Sequence, residues 1–208
     1  MAGTRIVAIV RGFGTDEVLH LAEAYAKGGI RLIEVTFAQS KPETWKDTVA
    51  SVRAIRERFG ADMAVGAGTV LTLGQLAMCA EAGGEFIVSP NVDAEIIRAA
   101  SALGLGTMPG AMTPTEAVEA WKAGADYIKL FPASALGAAY VKAIVAPLSH
   151  LRFLAVGGVG PDNVAEYLRA GCVGAGCGGN LVNREWVAAG EWGRIEDSAR
   201  RLVANAAV

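Results

Sequence analysis

Short apolar runs alternate along the chain with segments of helical periodicity. Eight of these runs are predicted to be strands: Arg5–Val10, Arg31–Phe37, Met63–Val70, Phe86–Pro90, Gly106–Pro109, Tyr127–Phe131, Arg152–Val156 and Val173–Gly178. Most are almost continuously apolar, as parallel strands are when both faces of the sheet are covered. The pattern therefore predicts a series of parallel strands connected by helices.

The segments between these runs have the three- and four-residue spacing of amphipathic helices. One such segment carries its apolar residues at Trp45, Val49, Val52, Ile55 and Phe59, and another at Tyr140, Val141, Ile144, Val145 and Leu148. Proline near a first helical turn marks starts at Pro42, Pro114 and Pro161. Glycines before the next strand mark the ends: Gly28-Gly29, Gly60, Gly83-Gly84, Gly104, Gly124 and Gly171.

Eight such units predict an α/β fold, a single-domain (β/α)8 TIM barrel over residues 1–208. The alternative is an open doubly wound sheet, which would carry a Gly-x-Gly-x-x-Gly turn after the first strand. Here that turn reads Arg11-Gly12-Phe13-Gly14-Thr15-Asp16-Glu17 and lacks the third glycine. The barrel is therefore the better prediction.

Composition narrows the class of protein. Of 208 residues, 52% are hydrophobic and 19% charged, with a net charge of −2, which excludes a disordered chain. The near-neutral balance argues against a nucleic-acid or membrane partner. Three cysteines, an odd number, indicate reduced thiols and a cytoplasmic protein. Two histidines argue against most histidine-based catalysis and metal binding, so no metal site is predicted.

Three ionisable residues interrupt or end apolar runs: Arg11, Glu34 and Lys129. In a strand, side chains two positions apart point to the same face. Glu34 and Lys129 therefore each share a face with the residues two positions before and after them. If both faces point into the barrel, a lysine and a carboxylate share a largely dry volume near the strand ends where barrel enzymes carry their chemistry.

A buried lysine has a lowered pKa, and its neutral amine can attack a ketone to form a Schiff base. A nearby glutamate can transfer the protons that this reaction needs. The alternatives are a structural ion pair between Glu34 and Lys129, or a lysine that reaches out of the barrel mouth. Arg11 beside them could bind an anion.

Glycine is abundant, at 26 residues, and it clusters near the end of the chain. Gly157-Gly158 follows the seventh predicted strand, and Gly178-Gly179-Asn180 follows the eighth. In many barrels these two loops bind phosphate through backbone N–H groups and a helix N-terminus. The alternative is that the glycines only form tight turns.

Four segments together are similar to one known family: Ile33-Glu34-Val35-Thr36, Gly66-Ala67-Gly68-Thr69-Val70-Leu71, Ile87-Val88-Ser89-Pro90 and Lys129-Leu130-Phe131-Pro132-Ala133. The chain resembles the bacterial 2-keto-3-deoxy-6-phosphogluconate (KDPG) aldolases, a family that includes 4-hydroxy-2-oxoglutarate aldolase and the 6-phosphogalactonate enzyme. The resemblance runs from about Ile6 to Val182. It implies a metal-independent class I aldolase that cleaves its sugar acid to pyruvate and glyceraldehyde 3-phosphate. A further candidate substrate is 4-hydroxy-2-oxoglutarate, cleaved to pyruvate and glyoxylate.

The resemblance also implies roles for individual residues. Lys129 would form the Schiff base and Glu34 would be the acid/base. Thr69 would contact the pyruvate carboxylate, and Pro90 and Phe131 would line the pocket. The phosphate would be held, with help from Arg11, by Gly157, Gly158, Gly179 and Asn180. The partner is then a small-molecule substrate, no cofactor is required, and a homotrimer is implied.

The chain departs from the family pattern at three positions. Ala38 stands where some members have an arginine that contributes to carboxylate binding, and Asn180 stands where serine is common. Val156 replaces the threonine of gluconate-type enzymes and resembles the galactonate type, which leaves the C4 preference open. Two other functions stay open: an isomerase or epimerase with Glu34 as base and Lys129 only electrostatic, and a non-catalytic phosphosugar-binding barrel.

Overall fold

The structure is a computed structural model that describes residues 5–208. Within this range the strands are β1 Ile6–Val10, β2 Leu32–Thr36, β3 Ala64–Gly68, β4 Phe86–Val88, β5 Gly106–Met108, β6 Gly110–Ala111, β7 Ile128–Leu130, β8 Phe153–Val156 and β9 Gly174–Cys177. The helices are α1 Thr15–Lys27, α2 Trp45–Phe59, α3 Leu73–Glu81, α4 Ala94–Ala102, α5 Pro114–Lys122, α6 Ala133–Val145, α7 Val164–Arg169, α8 Arg184–Ala188 and α9 Trp192–Asn205. A 3-10 turn at Pro42–Thr44 precedes α2.

The strands are parallel and form a ring, in the order β5-β4-β3-β2-β1-β9-β8-β7-β6. Only Pro109 separates β5 from β6, so these two strands together form the eighth position of the barrel. The ring closes because Tyr127 N donates to Thr107 O and Lys129 N donates to Pro109 O. The predicted TIM barrel is confirmed.

The predicted strand Gly106–Pro109 was incomplete at its C-terminal end. The chain passes Pro109 and resumes as β6, which pairs with β7 through Gly110 opposite Lys129. Proline has no N–H to donate, and glycine and alanine have low strand propensity. The sequence therefore carried no signal for this second short strand.

The third predicted strand, Met63–Val70, also ends earlier than predicted, at Gly68. The chain leaves the strand at Thr69, whose φ of 55° places it in the left-handed region. Threonine is β-branched and seldom adopts this conformation, so the sequence did not indicate the turn. Val70 N still donates to Val88 O, so the pairing with β4 resumes directly afterwards.

The helix signals were mostly correct. Residues 45–59 form α2, and Pro114 is the first residue of α5, where the Thr113 hydroxyl accepts from Glu116 N. The glycines that precede the next strand have positive φ at Gly29, Gly60, Gly83, Gly104, Gly124 and Gly171. At Pro161 the prediction was early, because α7 begins only at Val164.

Apolar side chains fill the barrel interior and the layer between strands and helices. The interior cluster consists of Val7, Leu32, Phe86, Val88, Met108, Leu154 and Val156. Because Leu32 precedes Glu34 by two residues on β2, Glu34 lies on the same inner face, nearer the C-terminal end of the strand. Apolar side chains thus fill the lower part of the barrel interior, and the polar side chains lie at its mouth.

The three cysteines are buried and free. Burial raises the pKa of Cys79 to about 11 and that of Cys172 and Cys177 to about 12. Their thiols are therefore poor nucleophiles at neutral pH. No helix in residues 5–208 is both long and apolar enough to cross a membrane.

Candidate active site

A cavity of about 600 Å³ opens at the C-terminal ends of the strands. All eleven residues predicted for the site line it: Arg11, Glu34, Thr69, Pro90, Lys129, Phe131, Val156, Gly157, Gly158, Gly179 and Asn180. They come from β2, β7 and β8 and from the loops that follow the strands. Barrel closure therefore brings together residues that are far apart in the chain.

Glu34 and Lys129 face each other across the barrel. Strands β1, β9 and β8 separate β2 from β7 on one side, and β3 to β6 separate them on the other. Both residues are buried, at 2% and 7% exposure. Within the described part of the chain no carboxylate lies within 4.0 Å of Lys129 Nζ, so the structural ion pair considered from the sequence is not formed.

The Lys129 amine is buried and has no hydrogen-bond acceptor among the described residues. Its Nζ lies 4.8 Å from the centre of the Phe131 ring. Burial lowers the pKa of Lys129, Glu34 opposes this, and the positive charge of Arg11 lowers it further. A larger fraction of this amine is therefore neutral at pH 7 than in an exposed lysine.

The pKa of the Glu34 carboxyl is shifted in the opposite direction. Burial raises its pKa, while Lys129, the Thr36 hydroxyl and Arg11 partly offset the rise. The Thr36 hydroxyl donates to Oε1 at 3.2 Å and so fixes that oxygen on the inner face. A carboxyl with a raised pKa can hold or release a proton near neutral pH, as general acid–base catalysis requires.

Thr69 lies beside Arg11 at the mouth, in the strained left-handed conformation described above. Arg11 Nη2 lies 3.5 Å from its Oγ1. Gln39 Nε2 donates to Thr69 O at 2.6 Å, and the Gln39 Oε1 accepts from Gln75 Nε2 at 3.1 Å. Gln75 is fully buried and its own Oε1 accepts from Leu71 N. The two glutamines hold this turn, a role that no local pattern in the sequence indicates.

The glycine cluster separates into two groups in space. Gly174 and Gly176 are inner-face strand residues, where a Cβ would press against Leu154 or Val156. These two glycines are explained by packing and not by ligand binding.

Gly157 and Gly158 have φ values of 93° and 73°, which favour glycine. A Cβ at Gly158 would also lie 2.6 Å from Ser134 Oγ at the start of α6. Among the described residues, the backbone N–H groups of Gly158, Gly179 and Asn180 donate to no protein acceptor. Three free backbone donors therefore line one end of the cavity.

Sequence reasoning missed several lining residues, above all Arg184. This arginine opens α8, and its guanidinium donates to Arg11 O at 2.9 Å and to Gly12 O at 3.2 Å. It also lies 4.6 Å from the centre of the Phe13 ring. Arg184 follows no predicted strand directly, so no pattern in the sequence marked it.

Among residues 5–208, no group of three or more His, Cys, Asp or Glu side chains is arranged to hold a metal ion. The polar groups that line the cavity include two arginines, one lysine, one carboxyl and free backbone N–H groups. This set can bind a substrate with several negative charges and can form an imine with a ketone.

Known proteins are similar to this chain in both sequence and fold. The family model KDPG and KHG aldolase matches residues 1–198. The 2-dehydro-3-deoxy-6-phosphogalactonate aldolase of Escherichia coli K12 is 41% identical over 177 residues, which cover 85% of this chain and 83% of that protein.

Two solved structures have the same fold. The native KDPGal structure superposes with a TM-score of 0.88 at 36% identity, covering 99% of this chain and 95% of the other. KDPG aldolase from Legionella pneumophila superposes with a TM-score of 0.86 at 27% identity, covering 97% and 95%. In that crystal structure, pyruvate was captured as a covalent carbinolamine intermediate.

Proposed function

The chain belongs to the KDPG and KHG aldolase family and is an aldolase, and we propose that Lys129 and Glu34 carry its reaction through a Schiff base. The observation behind this assignment is that Glu34 and Lys129 are both buried on facing strands without forming an ion pair. Burial raises the pKa of Glu34 and lowers that of Lys129. The substrate is a 2-keto-3-deoxy-6-phospho-sugar acid, and the products are pyruvate and glyceraldehyde 3-phosphate.

The first step is attack of the neutral Lys129 amine on the C2 ketone. A new C–N bond forms as the C=O π bond opens, and one proton passes from the attacking nitrogen to the oxygen to give a neutral carbinolamine. Glu34, directly or through water, then supplies the proton with which the hydroxyl leaves as water. The product is a protonated imine, whose positive nitrogen draws electrons from the neighbouring carbon.

Cleavage follows at the C3–C4 bond. Glu34 accepts the proton of the C4 hydroxyl, the C4–O bond becomes a carbonyl, and the C3–C4 electron pair moves towards the imine nitrogen. Glyceraldehyde 3-phosphate leaves, and an enamine stays on Lys129. Protonation at C3 and addition of one water then release pyruvate and restore the amine.

Val156 lies in the cavity wall next to Gly157, and its side chain is buried in the interior cluster. A valine here offers no hydroxyl to the substrate, as in the galactonate type that the sequence resembles. We therefore propose a preference for the galactonate C4 epimer. Val156→Thr adds one possible hydrogen bond, about 1 kcal/mol, so we expect the galactonate-to-gluconate ratio of kcat/KM to fall about fivefold. An unchanged ratio would remove Val156 from epimer selection.

Trapping of the imine tests the assignment of Lys129. Wild-type protein is incubated with pyruvate and borohydride, and the modified peptide is identified by mass spectrometry. We expect one reduced pyruvyl group on Lys129 and loss of turnover. Lys129→Arg keeps the charge but forms no imine, so it should be inactive and unmodified. The control is Lys142→Arg, since Lys142 is exposed on α6.

The same experiment separates the two alternative functions. An isomerase or epimerase would turn over phosphosugars without any adduct and would retain activity in Lys129→Arg. A non-catalytic barrel would bind the phosphosugar and show neither adduct nor turnover. Glu34→Gln should lower kcat about 100-fold or more if Glu34 transfers protons, while Glu57→Gln on the exposed face of α2 should not.

The homotrimer stays a prediction from the family resemblance, and the cytoplasmic location stays a prediction from the three cysteines. Exposed apolar side chains at the mouth side, among them Leu71, Leu73 and Met112, are consistent with contacts between subunits. Light scattering after gel filtration measures the subunit number, and a mass other than three chains would contradict the trimer.

A further inference from the structure

We propose that Arg184 is the cation that binds the phosphate of the substrate, and that Arg11 belongs to the carboxylate end. This inference rests on the proposed function. The family resemblance implies Arg11 at the phosphate and gives no role to Arg184. The structure favours the opposite arrangement.

The position of Arg11 is the first reason. Its guanidinium reaches the Thr69 hydroxyl at 3.5 Å, on the side of the cavity where Thr69 would meet the pyruvate carboxylate. It is also close enough to Glu34 and Lys129 for its charge to act on both. Because the imine forms at C2, a cation whose charge acts on Lys129 is placed for the neighbouring C1 carboxylate.

Arg184 lines the same cavity from the start of α8, where its guanidinium contacts the loop after β1. Arg11, and not Arg184, acts on the pKa values of Glu34 and Lys129. Of the described residues that line the cavity, only Lys129, Arg11 and Arg184 carry a positive charge. The substrate has its second charged group at C6, at the far end from the imine. Arg184 is thus the cation available for it.

The surroundings of Arg184 supply the second reason. The same β9–α8 segment contains Gly179 and Asn180, whose N–H groups have no acceptor among residues 5–208. Backbone N–H groups donate hydrogen bonds to phosphate oxygens but carry no net positive charge. A guanidinium beside them adds charge and paired N–H donors, a combination suited to phosphate oxygens.

Arg184 is held in place before any ligand binds. Two carbonyl oxygens, of Arg11 and Gly12, accept hydrogen bonds from it, and the Phe13 ring lies beneath its guanidinium. Gly12 has a φ of 73°, and a Cβ there would lie 3.0 Å from Arg184 Nη2. Since a guanidinium has five N–H donors, some are left for a ligand after these two bonds. A cation already fixed in position loses little entropy on binding.

Two substrates that differ only in the phosphate test the inference: 2-keto-3-deoxy-6-phosphogalactonate and its dephosphorylated form. In Arg184→Gln we expect kcat/KM to fall about 10- to 100-fold for the phosphorylated substrate, and much less for the other. Arg184→Lys should recover part of the loss. Arg169→Gln is the control, because Arg169 is an exposed arginine at the end of α7.

Inorganic phosphate gives a readout that does not depend on turnover of the sugar. It should inhibit the wild-type enzyme in competition with the phosphorylated substrate, and Arg184→Gln should raise the inhibition constant by a similar factor. Equal losses on both substrates, with unchanged phosphate inhibition, would mean that Arg184 only supports the loop that carries Arg11, and would overturn the proposal.

The outcome stays separable from the proposed function itself. Pyruvate has no phosphate, so borohydride trapping on Lys129 tests the Schiff base whatever Arg184 does. If trapping succeeds and the phosphate effects are absent, the aldolase assignment stands and the assignment of Arg184 fails. In Arg11→Gln, half-saturation of trapping should require more pyruvate; no change there would place Arg11 outside the carboxylate end.

Discussion

Gly68 lacks the side chain that would occupy the position of the Glu34 carboxyl. The two residues lie on neighbouring strands, where Gly68 pairs with Thr36 and Gly66 with Glu34. A Cβ built on Gly68 would overlap Oε1 of Glu34. A glycine in a strand thus creates the space that holds the proposed acid/base on the inner face of the barrel.

Gly68→Ala should therefore displace the Glu34 carboxyl. We expect kcat to fall about 100-fold, close to the effect of losing an acid/base, and stability to fall by about 1–3 kcal/mol from overpacking. Steady-state kinetics and urea unfolding measure the two effects. Gly193→Ala is the control, because a Cβ there meets nothing within 4 Å. Full activity in Gly68→Ala would show that the carboxyl position is not critical.

The pH dependence of imine formation should depend on Arg11. Trapping with saturating pyruvate is expected to rise with pH as Lys129 loses its proton, and to reach its plateau below the range of an ordinary lysine, because burial lowers the pKa. Arg11 lowers that pKa further, so Arg11→Gln should move the rise to higher pH, and Arg11→Lys should move it less. A shift to lower pH would contradict this electrostatic role.

The buried pair should also govern how stability depends on pH. Lys129→Met removes a cation that lowers the pKa of Glu34, so that pKa rises further in the folded state. The folded protein then binds more protons than the unfolded chain, and the free energy of unfolding falls as pH rises from the unfolded pKa of about 4.3 through the folded value.

Adding Glu34→Gln to Lys129→Met removes the group responsible. The double variant should be more stable than Lys129→Met by about 1–4 kcal/mol at pH 8 and should lose the excess pH dependence. Urea unfolding at several pH values gives both quantities. If the free energy of unfolding changed with pH in the same way in both variants, burial of the Glu34 carboxylate would not be costing stability.

The glutamine pair below the mouth should affect binding more than chemistry. Gln39→Ala removes the donor to Thr69 O, so we expect half-saturating pyruvate to rise about fivefold with a small change in kcat, the loss of about 1 kcal/mol of binding. In Thr69→Gly the positive φ is unstrained, and there Gln39→Ala should matter less. Equal effects in both backgrounds would show that Gln39 acts elsewhere.

The residue pattern predicted much of the site because the site places charged side chains in strands that are otherwise apolar and buried. A charged residue inside an apolar strand is costly, so Glu34 and Lys129 were visible without any structure. The paired glycines at residues 157–158 and 178–179 were visible because glycine is otherwise unfavourable in strands and helices. Their roles as catalytic and phosphate-binding groups stay predictions for the experiments above.

Other residues of the site were invisible in the sequence because their roles depend on distant partners. Gln75 and Arg184 belong to helices whose surface positions are commonly polar, and nothing local distinguishes them. Pro109 ended a predicted strand, yet β6 resumes beyond it because hydrogen bonds from β7 hold the chain there.

The sequence by itself determined the eight-unit βα series, the inward polar residues and the glycine turns, because hydrophobic period and backbone preference are local properties. Only the tertiary structure decided which groups meet. Closing the ring set Glu34 opposite Lys129 without an ion pair, placed Gly68 beneath the carboxyl, and brought Arg184 to the backbone carbonyl of Arg11. These relationships join residues remote in the chain, and no local pattern encodes such distances.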